Sequence, residues 1–71
     1  MEEYTNNFED VFLAEAVETG KPVKLFHTTG YQQTVTVLDY NCDALMVLRS
    51  DGARALVYRH GLSTIVMVQE G

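Results

Sequence analysis

Apolar residues recur with two different periods along the chain, and the change from one to the other comes at Pro22. Before it, Phe8, Val11, Phe12, Ala16 and Val17 fall at the three-and-four spacing of one helical face, with Glu9, Glu15 and Glu18 on the other side. Asn6 or Asn7 supplies an N-cap oxygen, and Asp10 stands three residues after Asn7, near the positive end of the helix dipole. Gly20 suits a C-cap, and Pro22 has no N–H with which to extend the helix. The pattern predicts an amphipathic helix over 8–19.

After Pro22 the period becomes two, and β-branched and aromatic residues dominate. Five strands are predicted, at 23–28, 31–38, 44–49, 53–58 and 62–68. Thr29-Gly30 and Ser50-Asp51-Gly52 are tight-turn signals, residues 39–43 form a polar break, and Arg59-His60-Gly61 interrupts briefly before the last strand. A helix and five short strands in so little chain fit a mainly β fold, a strongly bent sheet closing into a small barrel. Its last strand, Leu62-Ser63-Thr64-Ile65-Val66-Met67-Val68, is long and apolar for an open edge. An edge of that kind aggregates unless it is covered, and pairing it with a neighbouring subunit would close a ring.

Length strengthens the case for assembly. A chain of 71 residues is one domain at most, and below about 80 residues a single core needs a disulfide, a metal or oligomerisation beside it. The one cysteine, Cys42, excludes an internal disulfide, and Cys42 with His27 and His60 has no metal-ligand spacing. No metal or other cofactor is therefore expected. There is no apolar run long enough to span a membrane and no export leader, so a reducing cytoplasm is the expected setting. Net charge is −5, which by itself argues against a nucleic-acid partner. The acid is regional, however. Glu2, Glu3, Glu9, Asp10, Glu15 and Glu18 precede residue 20, whereas from there on Lys21, Lys24, Arg49, Arg54 and Arg59 face Asp39, Asp43, Asp51 and Glu70. No nucleophile-base pair or phosphate loop can be named, so an enzyme is not expected.

Three separated stretches carry a family resemblance. Leu56-Val57-Tyr58-Arg59-His60-Gly61-Leu62-Ser63-Thr64-Ile65 resembles the second Sm motif of the Hfq family, in which Tyr-Lys-His precedes a small residue, an aliphatic and Ser-Thr. Phe8-Glu9-Asp10-Val11-Phe12-Leu13 resembles the start of that family's helix, and Pro22-Val23-Lys24-Leu25-Phe26-His27-Thr28-Thr29-Gly30 its first strand and turn. The similarity runs in order over residues 8–68. It implies an Sm-like (SH3-like) five-stranded barrel over that range, with 1–7 a short extension and 69–71 the C-terminal end. It also implies a homohexameric ring that acts as an RNA chaperone, holding A-rich or U-rich single-stranded RNA on its faces and affecting pairing between small RNAs and messages.

On the distal face, the one implied for A-rich RNA, the matching positions are Phe26, Gly30, Tyr31, Gln32, Gln33 and Thr64. Two rings for stacking and two amides for an adenine edge suit that task. On the proximal face, implied for U-rich RNA, they are Glu9, Tyr58, Arg59 and His60, with Glu9 where the family has Gln and no ring in the third strand to stack on. An ionised carboxylate accepts only and cannot donate to uracil as an amide does. The family's rim of arginines has no counterpart in Val17-Glu18-Thr19-Gly20, which implies weak or absent annealing activity, and Thr34-Val35 replaces the glycine that bends the family's second strand.

Each residue also has a plainer reading. Phe26 and Tyr31 serve equally as strand packing, Tyr58 as a core residue with a wet hydroxyl, His60 as a loop histidine and Arg59 as a solvated charge. His27 reads as a surface histidine and Cys42 as a small, partly buried residue. A protein-interaction module on a small barrel, without RNA binding, is the alternative function. The Tyr58-Arg59-His60 cluster separates the two, since a peptide-binding barrel has no need of it at the mouth of a ring.

Overall fold

In the computed structural model, which describes residues 8–68, helix α1 (Phe8–Thr19) precedes five strands. These are β1 (Pro22–His27), β2 (Gln32–Tyr40), β3 (Ala44–Arg49), β4 (Arg54–Tyr58) and β5 (Leu62–Met67), with a 3-10 turn (Arg59–Gly61) before the last. The capping role of Asn6 or Asn7 and the segments 1–7 and 69–71 lie outside the described residues. All pairings are antiparallel, in the order β4-β3-β2-β1-β5. The strands consecutive in sequence, β4 and β5, thus stand at opposite edges of the sheet, yet only three residues join them. A link that short reaches on the order of 10 Å, so the sheet must curl until its two edges nearly meet.

The helix is held by a narrower stripe than its apolar residues predict. Leu13 and Ala16 are fully buried, Phe12 and Val17 pack partly against the core, and Phe8 and Val11 face outward. Leu13 occupies the centre of the seam that Phe8 and Val11 were expected to share. At its end, the Gly20 amide donates to the Ala16 carbonyl at 3.0 Å with φ +69°, the left-handed cap that favours glycine. Beneath the helix, Val23 and Leu25 of β1, Val35 and Val37 of β2, Leu45 and Val47 of β3 and Val57 of β4 complete a core of small aliphatic side chains.

The largest departure from expectation is in β2. Alternation stops after Val37, which placed the end of the strand at Leu38, but the strand continues to Tyr40. Val37 pairs with Val47 and Asp39 with Met46, leaving Leu38 as the extra residue of a β-bulge. The bulge resets the phase, so Tyr40 instead of Asp39 turns inward. It also supplies the bend that the missing glycine would otherwise give. The polar break beyond it shrinks to residues 41–43, closed by the Asn41 side chain, whose Oδ1 accepts from the Asp43 and Ala44 amides at 2.8 and 2.9 Å. Cys42 is exposed in this turn, not partly buried as expected, because the loop leaves the sheet there.

Candidate nucleic-acid interface

Cross-strand register decides which of the candidate residues share a surface. Phe26 pairs with Gln32 on one side and Thr64 on the other, and directly opposed antiparallel residues point to the same face. Gln32, Phe26 and Thr64 therefore form one row across β2, β1 and β5. Two residues back along β1, the Lys24 ammonium lies 6.0 Å from the Phe26 ring centroid, within cation–π reach. The Phe26 carbonyl accepts from the Ser63 hydroxyl at 3.2 Å, which ties the row to β5.

Gln33 does not join that row. It is paired with Leu25 and lies on the opposite side of β2 from Gln32. Its amide meets His27 instead, with Nε2 atoms 3.1 Å apart, and the His27 ring rests 5.3 Å from that of Tyr31. The turn is fixed by the His27 amide donating to the Tyr31 carbonyl at 2.8 Å and the Gly30 amide donating to the His27 carbonyl at 2.9 Å. Gly30 holds φ +96°, which a residue with a Cβ resists. Tyr31 stays 60% exposed, so its ring is not buried as strand packing. His27 is half-buried and partnered, where sequence alone read a surface histidine.

Where β4 enters the 3-10 turn, Tyr58 is 57% exposed, which excludes the core reading, and its ring lies 6.3 Å from that of His60. Arg59 between them is turned inward. Its side chain is 10% exposed, and its Nε and Nη2 grip Glu9 as a fork at 3.1 and 2.9 Å. Nη2 also reaches Asp10 Oδ1 at 3.1 Å, and Nη1 donates to the Asn41 carbonyl. The Arg59 amide donates to the Asp43 carbonyl, and the Tyr40 hydroxyl to the Asp10 carbonyl. One guanidinium thus pins α1 to the β2–β3 turn and the 3-10 turn. The bond to Glu9, foremost, with those to Asp10, raises the Arg59 pKa against the opposing effect of burial. A raised base contributes its stability in full below its unfolded value and loses it only as pH climbs through the higher folded one, so the pin is constant around neutrality.

Glu9 and Arg59 are therefore brought together, but as each other's partners. Sequence reading missed Asp10, Asn41, Tyr40 and His27, and also Lys24, which its spacing two before Phe26 on a strand would have placed on the same face. Among the described residues no helix is long and apolar enough to cross a membrane.

A helix laid on a five-stranded antiparallel sheet, bent by a bulge until its edges approach, with β4 and β5 joined by a 3-10 turn, defines an Sm-like barrel. A crystal structure of "the pleiotropic translational regulator, Hfq" shares that fold, with a TM-score of 0.81 over 86% of this chain and all of the other at 23% identity. RNA-binding protein Hfq of Clostridium acetobutylicum is 36% identical over 61 residues, 86% of this chain and 74% of that protein. The protein of the same name from Clostridium botulinum strain Eklund 17B is 32% identical over 65 residues, 92% and 83% of the two chains. No family model matches. The chain belongs to the Hfq family.

Proposed function

We propose that this protein is a cytoplasmic RNA chaperone that binds single-stranded, A-rich RNA on the face carrying Phe26. The observation that carries this reading is the row Gln32, Phe26 and Thr64 with Lys24 beside the ring. A flat ring for stacking, a cation for phosphate and an amide and hydroxyl for base edges are what single-strand recognition needs. Tyr31 and Gly30, in the adjoining turn, add a second exposed ring. On the opposite face, U-rich RNA would rely on Tyr58 and His60, because Arg59 is already occupied by Glu9 and Asp10. That face is the weaker site. Without rim arginines, annealing between paired RNAs is weak or absent, and the effect on messages and small RNAs comes through holding them.

Fluorescence anisotropy with oligo-A and oligo-U tests the reading. Six copies at −5 each carry −30, so binding should be modest and fall steeply with salt. No binding even at low salt removes the proposal. Tyr31→Ala should weaken oligo-A more than His60→Ala does, and His60→Ala should act on oligo-U; the reverse pattern would exchange the faces.

Two unpaired edges of the same sheet support assembly as a ring. They are β4, with Leu56 and Tyr58 exposed, and β5. Alongside β5 runs a groove of about 480 Å³ lined in part by Phe8, Phe12, Leu62 and Ile65. Joining β4 of one copy to β5 of the next pairs both edges and covers those side chains. Ile65→Lys places a charge in that seam and should reduce the mass seen by light scattering to that of smaller species. An unchanged mass would rule out β5 as the seam.

A further inference from the structure

We propose that Glu9 is an intramolecular stand-in for an RNA phosphate, which latches the Arg59 guanidinium shut and so suppresses RNA binding on the face carrying Tyr58 and His60. The proposal rests on that face being an RNA surface, and it adds what keeps the surface closed. All three nitrogens of the guanidinium are engaged within the protein. Nε and Nη2 meet the two Glu9 oxygens at 3.1 and 2.9 Å, Nη2 also meets Asp10 Oδ1 at 3.1 Å, and Nη1 donates to the Asn41 carbonyl. The Arg59 side chain is left 10% exposed, although Tyr58 and His60 on either side of it are open to solvent. Two open rings thus flank a sealed cation.

A guanidinium presents the same parallel pair of N–H donors to a carboxylate and to a phosphate. Glu9 therefore fills the place that a phosphodiester would take. It does so from the same chain, at an effective concentration on the order of millimolar, and an oligonucleotide at far lower concentration must displace it. The latch is also held in position. Glu9 and Asp10 belong to the first turn of α1, where the positive end of the helix dipole favours carboxylates. The Tyr40 hydroxyl donates to the Asp10 carbonyl at 3.3 Å, and buried Leu13 one turn on fixes the helix to the core.

Glu9 is 51% exposed, so the contact lies where an RNA backbone can reach it. There the carboxylates neutralise the cation and repel a phosphate at once. The Phe26 face is arranged differently. Its cation, Lys24, stands over the Phe26 ring and has no ion pair among the described residues. One face offers its charge and the other withholds it, which directs RNA to the Phe26 face.

Anisotropy with oligo-U and oligo-A tests the latch on the full chain and on Glu9→Ala, Glu9→Asp and Glu15→Ala, with the mass of each checked by light scattering. Glu9→Ala should raise oligo-U affinity about tenfold, the size of one charge-assisted contact, and change oligo-A by no more than about twofold. Glu15 is exposed on the same helix and has no ion pair among the described residues. Glu15→Ala removes the same charge without touching Arg59, so it should raise either affinity by about twofold at most. Glu9→Asp keeps the charge and suits the first turn of a helix, but its shorter side chain cannot hold the fork. Its oligo-U affinity should rise roughly threefold at constant net charge, which also covers the case in which Glu9→Ala fails to assemble. Measured against Arg59→Met alone, adding Glu9→Ala should give no more than the Glu15→Ala change, because the cation to be released is gone. Equal gains from Glu9→Ala and Glu15→Ala, or a tenfold gain that survives Arg59→Met, overturn the latch and leave binding on the Phe26 face standing. Oligo-U that binds neither the parent nor Glu9→Ala, beside oligo-A that binds both, does the same. No binding of either oligomer removes the RNA reading, and the latch with it.

Discussion

Phe26→Ala should weaken oligo-A binding by roughly 5- to 150-fold, the loss of about 1 to 3 kcal/mol of base stacking. The ring is the centre of the Gln32, Phe26 and Thr64 row, and the cation at Lys24 is placed over it. Truncation therefore removes the platform and the group that locates the amine. The backbone should keep its place, since the link to Ser63 uses the Phe26 carbonyl. Phe26→Tyr keeps a flat ring and should retain most of the affinity. Anisotropy against oligo-A, with oligo-U as the control for the other face, reads the effect. If a correctly folded Phe26→Ala ring bound oligo-A as tightly as its parent, the row would not be where bases stack.

Arg59→Met should lower stability by about 2 kcal/mol, and the melting temperature by roughly 8 to 16 °C, for a domain of this size at fixed protein concentration. Each charge-assisted hydrogen bond is worth about 1.5 to 3 kcal/mol in a dry setting. Glu9 and Asp10 are 51% and 43% exposed and can rehydrate, so the four contacts do not sum. What the change removes is the tie from the helix to two turns at once, which methionine's packing cannot replace. Lysine should recover only part of the loss, because a point charge does not reproduce the fork on Glu9. Glu9→Gln should be milder than Arg59→Met, since Asp10 and the Asn41 carbonyl still hold the guanidinium. Thermal melts by circular dichroism decide the point: an Arg59→Met protein melting with its parent would make the pin ornamental.

Punctuation made most elements readable in advance. Gly20 and Pro22 end the helix at Thr19, and the polar residues around β3 place both its ends at Ala44 and Arg49. What escaped notice depended on spatial relations that no local pattern carries. Alternation predicts that Val35 and Val37 face inward, but an inserted residue changes the phase without announcing itself, so Asp39 and Tyr40 read as loop. Helical spacing could not rank Leu13 above Phe8 and Val11, because the sheet covers only part of the apolar side. In the candidate site, the family likeness supplied the residues and the register sorted them. Gln32 and Gln33 look equivalent in sequence and lie on opposite faces, and the Arg59 bonds to Glu9 and Asp10 join residues 50 and 49 positions apart.

The bulge at Leu38 also bears on which changes this lineage can accept. Where a glycine makes a bend, the identity of one side chain matters; here the bend is a matter of counting. Many side chains at 38 would serve, since the residue is partly open to solvent and opposes no partner in the ladder. Losing that single codon would be different. Every later residue of β2 would keep its present side of the sheet, with Tyr40 still inward, but the strand would run straight and the barrel would lose the curl that brings its two edges together.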